Sequence, residues 1–318
     1  MDKKRALFII NPTAGRTKTR VSASDIIGKM TDSNIEFSVH ETKCRGDATN
    51  IVKEHSEGMD MVVCCGGDGT LNETINGVMD LPTRTTIGYV PMGSTNDLAN
   101  TLNIPTNVDE ATDLIKSGKK HSYDIGLFNN RYFCYIASFG AFTKASYSTN
   151  QKLKNRIGHL AYLLTGFTQW KDLRGITRHI KIEYDDGVIE DDFMFGGISN
   201  TTSVSGMFKF DPKEVKLNDG YFEVLLVKKI NPLSAPVFLH KIIKQDYDGE
   251  HILFFRTRSI KLTSDKPMDW TLDGEYGGSH KTSMIHVLAK AIDIYSGDND
   301  MFLPDAPAPA EDEEKEDD

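Results

Sequence analysis

Gly66-Gly67-Asp68-Gly69-Thr70-Leu71-Asn72-Glu73 follows the apolar run Met61-Val62-Val63-Cys64-Cys65 directly and runs into a helix-compatible stretch ending near Val78. A strand, a glycine turn and a helix start therefore succeed one another without a gap. Three glycines within four residues let backbone N–H groups approach an anion with no Cβ in the way, and the following helix points its positive N-terminal end at the same place. A phosphate suits such a turn. No Lys-Ser or Lys-Thr follows the glycines, so this is not a Walker loop, and the spacing is not the Gly-x-Gly-x-x-Gly of a dinucleotide fold. Asp68 inside the turn calls for a cation or a sugar hydroxyl beside it, and a bound magnesium would serve. Taken alone, the motif equally describes a strand-to-helix turn that binds nothing.

Working outward, Asn11-Pro12-Thr13-Ala14-Gly15-Arg16 follows a first strand at 5–10, and Pro91-Met92-Gly93-Ser94-Thr95-Asn96-Asp97 follows a strand at 86–90. Glycine turns at three strand ends converge in an open α/β sheet, where ligands collect at the carboxyl edge. Farther on stand Leu217-Asn218-Asp219-Gly220-Tyr221-Phe222 and Leu272-Asp273-Gly274-Glu275-Tyr276-Gly277-Gly278. With these motifs in this order the chain resembles the diacylglycerol kinase catalytic family, which includes sphingosine and ceramide kinases, and most of all its bacterial soluble members. The resemblance runs from about residue 5 to about residue 302.

Strands and helical stretches alternate up to Asp124: strands at 5–10, 36–41, 61–65 and 86–90, helices near 20–30, 47–56, 71–78 and 108–117. That alternation predicts a parallel sheet covered by helices. From Ile125 on, strands dominate, with runs at 222–227, 251–256 and 259–263, and two helical interruptions at 151–170 and 234–245. The expected architecture is a Rossmann-like, three-layer α/β domain over 1–124, an antiparallel β-sandwich domain over 125–303 and an acidic tail over 304–318. The resemblance adds that strands near 284–302 return to the domain junction.

The net charge of −9 is misleading, because residues 304–318 hold eight acids and one lysine, −7 of the total, leaving about −2 for the rest. A tail with no apolar anchor is expected to be disordered, either as a plain solubilising segment or as one repelled by anionic membranes. Nothing in this balance recommends nucleic acid as a partner. No apolar run approaches the roughly 18 residues of a membrane span, and the short run ending at Ile10 carries no secretory cleavage pattern, so Met1 is read as the start of a cytosolic chain. Cys44, Cys64, Cys65 and Cys134 have no zinc spacing and are expected as buried reduced thiols, Cys64 and Cys65 on opposite faces of one strand.

Phosphoryl transfer needs an attacking hydroxyl, a γ-phosphate and a leaving diphosphate in line, with metal and donors offsetting charge. The resemblance implies ATP and Mg2+, with the nucleotide at Asn11, Pro12, Thr13, Ala14, Gly15 and Arg16, at Thr42, at Gly66, Gly67, Asp68, Gly69, Thr70, Leu71, Asn72 and Glu73, and at Ser94. Arg16 stands where many relatives carry lysine. Asp68, Asp97 and Asp124 each end a strand or begin its turn, and would hold the nucleotide's magnesium if they converge; Asp97 reads equally as the N-cap before Leu98-Ala99-Asn100. Glu275, matching the family's Asp-Gly-Glu, is the candidate general base for a lipid hydroxyl. The resemblance also places a structural magnesium at Asp219, with carbonyls from Lys216 and Tyr221; the residues alone read as an Asn-Asp-Gly hairpin turn.

The expected enzyme is an ATP- and magnesium-dependent lipid kinase converting diacylglycerol to phosphatidate for phospholipid metabolism, cytoplasmic and peripheral at the inner membrane face. Another lipid alcohol as acceptor, phosphatidylglycerol or a sphingoid base or ceramide, stays open, as does a nucleotide-gated membrane-binding protein without turnover. NAD kinases share the Gly-Gly-Asp-Gly turn, but the Asn-Pro-x-x-Gly start and Asp-Gly-Glu end argue against a dinucleotide acceptor. The segment 151–174, with basic flanks around Leu160, Tyr162, Phe167 and Trp170, reads either as an interfacial helix or as one packed on the core, and Thr165 stands where some relatives carry lysine. A homodimer is compatible with the family, its face not readable from one sequence.

Overall fold

The computed structural model describes residues 3–14, 23–30, 34–140, 177–204, 208–230, 235–247 and 249–304. Gly15, Arg16, the segment 151–174 and the tail from 305 onward, all named above, lie outside the described residues.

In the first third of the chain the strands are β1 (Lys4–Ile10), β2 (Ile35–Glu41), β3 (Met61–Gly66) and β4 (Thr86–Pro91), between which lie α1 (Ala23–Met30), α2 (Asp47–His55) and α3 (Asp68–Met79). β3 and β4 are almost wholly buried, as central strands covered on both faces are, while the edge strand β2 alternates apolar with polar residues. After β4 come α4 (Asp97–Thr101) and α5 (Val108–Ser117). The four strands pair in parallel in the order β2-β1-β3-β4. Side-chain alternation divides them between two cores. Leu7, Ile9, Val62 and Cys64 pack with Val52 of α2 and Leu71 and Ile75 of α3, whereas Phe8, Ile10, Val63 and Cys65 pack with Ile26 of α1 and Ile115 of α5. Helices thus cover both faces. Cys64 and Cys65 are buried on opposite faces as expected, and Cys134 is buried too, but Cys44 is exposed because it sits in the turn before α2.

The remaining strands are β5 (Lys120–Phe128), β6 (Arg131–Phe133), β7 (Ile136–Gly140), β8 (Arg178–Tyr184), β9 (Gly187–Ser199), β10 (Ser203–Val204), β11 (Phe208–Lys209), β12 (Phe222–Lys228), β13 (Ile252–Thr257), β14 (Ser259–Leu272) and β15 (Glu275–Tyr295), with α6 (Ala235–Lys244) between β12 and β13. Pairing among them is antiparallel, as their turn chemistry predicts. Both β9 and β14 pair with β7 and with β8, so the sheet curls round on itself. Phe139, Phe193, Phe222 and Trp270 fill the space it encloses. The two layers of the expected sandwich are therefore parts of one hydrogen-bonded sheet.

β15 joins the two halves. It pairs antiparallel with β14 and β5 and, at Ile294 opposite Ile87, parallel with β4. Its register shifts between Leu288 and Ile292, where Lys290 has a left-handed φ of 48°. The expected boundary after Asp124 falls inside β5, which runs along β15 on both sides of that shift.

Candidate active site

Three strand ends meet at one edge of the parallel sheet. Asn11 closes the turn after β1: its Oδ1 accepts from Thr13 N at 3.0 Å and from the Thr13 hydroxyl at 2.8 Å, while its Nδ2 donates to Thr70 Oγ1 at 3.0 Å. The backbone of Asn11 donates to Cys65 O at 2.9 Å and that of Thr42 to Ile10 O at 2.9 Å, which brings the Thr42 turn alongside. A Cβ on Gly67 would lie 3.3 Å from Gly93 Cα, and one on Gly93 would lie 2.8 Å from Gly67 Cα. The β3–α3 and β4–α4 turns touch backbone to backbone, which only glycine allows. Gly67 caps α3 without a side chain, and the positive end of the helix faces the cleft these turns enclose.

Asp68 opens α3 and Asp97 opens α4. Burial and then the charge of Asp97 push the Asp68 carboxyl up, while backbone N–H groups of Leu98 and Asn96 hold it down. Its Oδ1 is buried with no hydrogen-bond partner among the described residues. The cap position expected of Asp97 belongs to Asn96, whose φ of 52° and bonds to Gly93 N (2.9 Å) and Gly93 O (3.0 Å) close the turn. Ser94 lies exposed in the same turn.

The antiparallel half contributes the hairpin between β14 and β15. Asp273 and Gly274 have φ of 49° and 82°, the two left-handed positions of a tight two-residue turn, for which Asp-Gly is a preferred pair. The turn places Glu275 against α3: its Oε1 would lie 3.9 Å from a Cβ on Gly69. Arg45, two residues before α2, forms an ion pair with the other oxygen of Glu275. Glu73 anchors the Arg45 loop, accepting from Gly46 N at 2.8 Å and Ala48 N at 3.3 Å. The Tyr135 phenol is pushed up by burial and then by the charges of Asp273, Asp97 and Asp68.

Not every expected site residue reaches this cleft. Asp124 lies in the middle of β5 rather than at a strand end, and its two oxygens accept from Gly220 N and Lys290 N, both at 2.6 Å. It therefore braces the Asp219 turn and the β15 register shift and does not converge with Asp68 and Asp97. The side chains of Asn72 and Glu73 are likewise spent on protein partners, Asn72 Nδ2 donating to Asp273 Oδ2 at 2.7 Å. On the Asn218-Asp219-Gly220 turn, Asp219 accepts from Tyr221 N at 2.9 Å and pairs with Arg256, so its carboxylate already has a cation, and Lys216 Nζ donates to Asp300 O at 2.8 Å. A structural magnesium at this turn would share the Asp219 carboxylate with Arg256. The orphaned Asp68 oxygen beside Asp97 does fit magnesium. Among the described residues no three acidic, His or Cys side chains converge.

Arg45, Tyr135 and Asp273 are the residues that sequence reading missed. Asp273 stood inside the quoted motif, but its turn-forming role hid its partners; Arg45 and Tyr135 belong to no motif.

The model of the diacylglycerol kinase catalytic domain family matches residues 5–128. A diacylglycerol kinase of Staphylococcus saprophyticus is 34% identical over 300 residues, covering 92% of this chain and 96% of its own. One from Bacillus subtilis is 36% identical over 278 residues, with 86% and 91% covered. A crystal structure of a diacylglycerol kinase from Bacillus anthracis str. Sterne shares the fold with a TM-score of 0.72 at 24% identity, over 93% of this chain and 98% of that one. A second crystal structure from that organism gives 0.77 at 25% with the same coverage.

Proposed function

Because the chain belongs to the diacylglycerol kinase family, we propose that it transfers the γ-phosphoryl group of ATP to the free hydroxyl of diacylglycerol, giving phosphatidate and ADP, with Glu275 as general base. The observation that carries this reading is the position of Glu275. A carboxylate from the acceptor half stands against Gly69, at the N-terminus of the helix whose glycine turn suits a phosphate.

In this reading the strand-end turns at Asn11, Thr42, Gly66 to Thr70 and Ser94 hold the nucleotide, with Gly15 and Arg16 completing the first of them. The acceptor oxygen forms a bond to the γ-phosphorus as the bond to the bridging oxygen of ADP breaks, and its proton passes to Glu275. Asp68, with Asp97 beside it, would hold a magnesium ion, which when bound would offset charge on the phosphate oxygens. Arg45 pairs with one oxygen of Glu275, and the other, nearest Gly69, is the one that meets the hydroxyl in this reading. Residues 1–124 serve the nucleotide and 125–303 the lipid, with 304–318 outside both. Among the described residues no helix is long and apolar enough to cross a membrane, which fits a cytoplasmic enzyme meeting the inner membrane face peripherally.

The test is transfer of labelled γ-phosphate from ATP into a panel of lipids in mixed micelles, with the native chain and Glu275→Ala side by side. Strong labelling of diacylglycerol that the substitution abolishes is the expected result. Labelling of a different lipid alcohol would correct the substrate and keep the chemistry. Labelling that survives Glu275→Ala unchanged would remove the base.

A further inference from the structure

Asp273 uses both carboxylate oxygens to the full. Its Oδ1 accepts from Tyr135 N at 2.9 Å and Ile136 N at 3.0 Å, and its Oδ2 from Cys134 N at 2.6 Å and Asn72 Nδ2 at 2.7 Å. Three of the four donors are consecutive backbone N–H groups of the link between β6 and β7, within the acceptor half. The fourth comes from α3, in the nucleotide half, and is the one that ties the two halves together through this carboxylate.

The placement of that fourth donor matters. Asn72 is three residues beyond Gly69 and four beyond Asp68, so the three lie on one face of α3, about one turn or 5.4 Å apart along its axis. Glu275 is two residues beyond Asp273 across a tight turn. Two contacts therefore run side by side between the same helix face and the same hairpin: Asn72 to Asp273, and Gly69 to Glu275. Asn76 holds the Asn72 amide in the orientation this needs, its Nδ2 donating to Asn72 O at 2.8 Å and to Asn72 Oδ1 at 3.1 Å. With its carbonyl oxygen turned to Asn76, Asn72 presents its N–H2 to the carboxylate.

We infer that the Asn72–Asp273 hydrogen bond is a latch that sets the distance between the acceptor base and the transferable phosphate, making Asn72 and Asp273 positioning residues for the reaction and not nucleotide ligands. This rests on the reading of Glu275 as base. A misplacement of about 1 Å between reacting groups can cost on the order of 100-fold in rate, so one hydrogen bond that fixes the hairpin against α3 has a large lever on turnover and almost none on nucleotide affinity.

The experiment measures transfer into diacylglycerol by the full chain over a range of ATP concentrations, with thermal unfolding of each variant as the folding control. Asn72→Ala, which suits a helix, is expected to lower kcat about 10- to 100-fold while KM for ATP stays within about twofold. Asn72→Asp sets a carboxylate against Asp273 and is expected to be slower still. A raised KM for ATP at native kcat in Asn72→Ala would return Asn72 to the nucleotide and overturn the latch. So would native kcat in that variant. If instead Glu275→Ala keeps native activity, the base reading fails first, and the latch loses its purpose whatever Asn72→Ala does.

Discussion

Asp68 and Asp273 occupy turns that look alike in the sequence, each an aspartate followed by glycine at the end of an apolar strand. Burial pushes both carboxyls up. Their surroundings differ in kind. Asp273 receives four donors and has no acceptor capacity to spare, whereas Asp68 has one buried oxygen with no partner among the described residues and a second carboxylate beside it. A buried acid whose own chain satisfies it holds structure in place; one left unsatisfied against a like charge is stable only with something from outside the chain. That contrast separates the two roles better than the motifs do.

The largest effect expected is on the residue that the satisfied turn presents. Glu275→Ala should lower kcat by about 10² to 10⁴, the usual range for a positioned base, with the thermal midpoint nearly unchanged, since Glu275 makes one exposed ion pair. An unfolded variant would recast Glu275 as structural. Next, Asp273→Ala leaves three backbone N–H groups without their acceptor, at about 1–3 kcal/mol for each group that water cannot reach. A midpoint lower by several degrees is expected in differential scanning calorimetry, and an unchanged one would break the contrast.

Asp68→Asn should do the reverse, raising the midpoint of the nucleotide-free chain while phosphoryl transfer falls. A carboxyl raised by folding binds a proton that the unfolded chain lacks, so ionising it costs stability as pH rises. The gain in Asp68→Asn should therefore appear above the usual carboxylate range and vanish in acid. A lower midpoint at neutral pH would class Asp68 with Asp273. The last effect concerns Glu223, buried with Arg256 Nε 3.4 Å from its Oε1, which burial pushes up to about 8 against the pull of Arg256. By the same sign, stability should decline as pH climbs from the carboxylate range toward about 8, and Glu223→Gln should flatten that part of the curve. A native curve already flat there would show that Arg256 keeps Glu223 ionised throughout.

What could be read from sequence follows the distance between partners. The β3–α3 turn is contiguous, so its glycines, its helix and Asp68 were all visible, as were the alternating strands and helices that build the parallel half. Cys64 and Cys65 fell on opposite faces because a strand has a period of two. By contrast the Asn72–Asp273 bond joins residues 201 positions apart, and nothing local distinguishes an aspartate that caps a remote link from one that only forms a turn. In sequence Asp124 reads with Asp68 and Asp97 as a residue at a strand end or its turn; its partners Gly220 and Lys290 lie 96 and 166 residues away, out of reach of any pattern. The pairing of Arg45 with Glu275 across 230 residues belongs to the same class.

β15 begins at Glu275, and within 21 residues it has crossed from the antiparallel sheet to the edge of the parallel one. No loop separates the two halves there for denaturant or heat to exploit. Melting either half strips hydrogen bonds from the same continuous strand, with Asp124 fastening its bend at Lys290. The chain should consequently unfold as one cooperative unit, in a single calorimetric transition, and its central amides should exchange with solvent only through global opening.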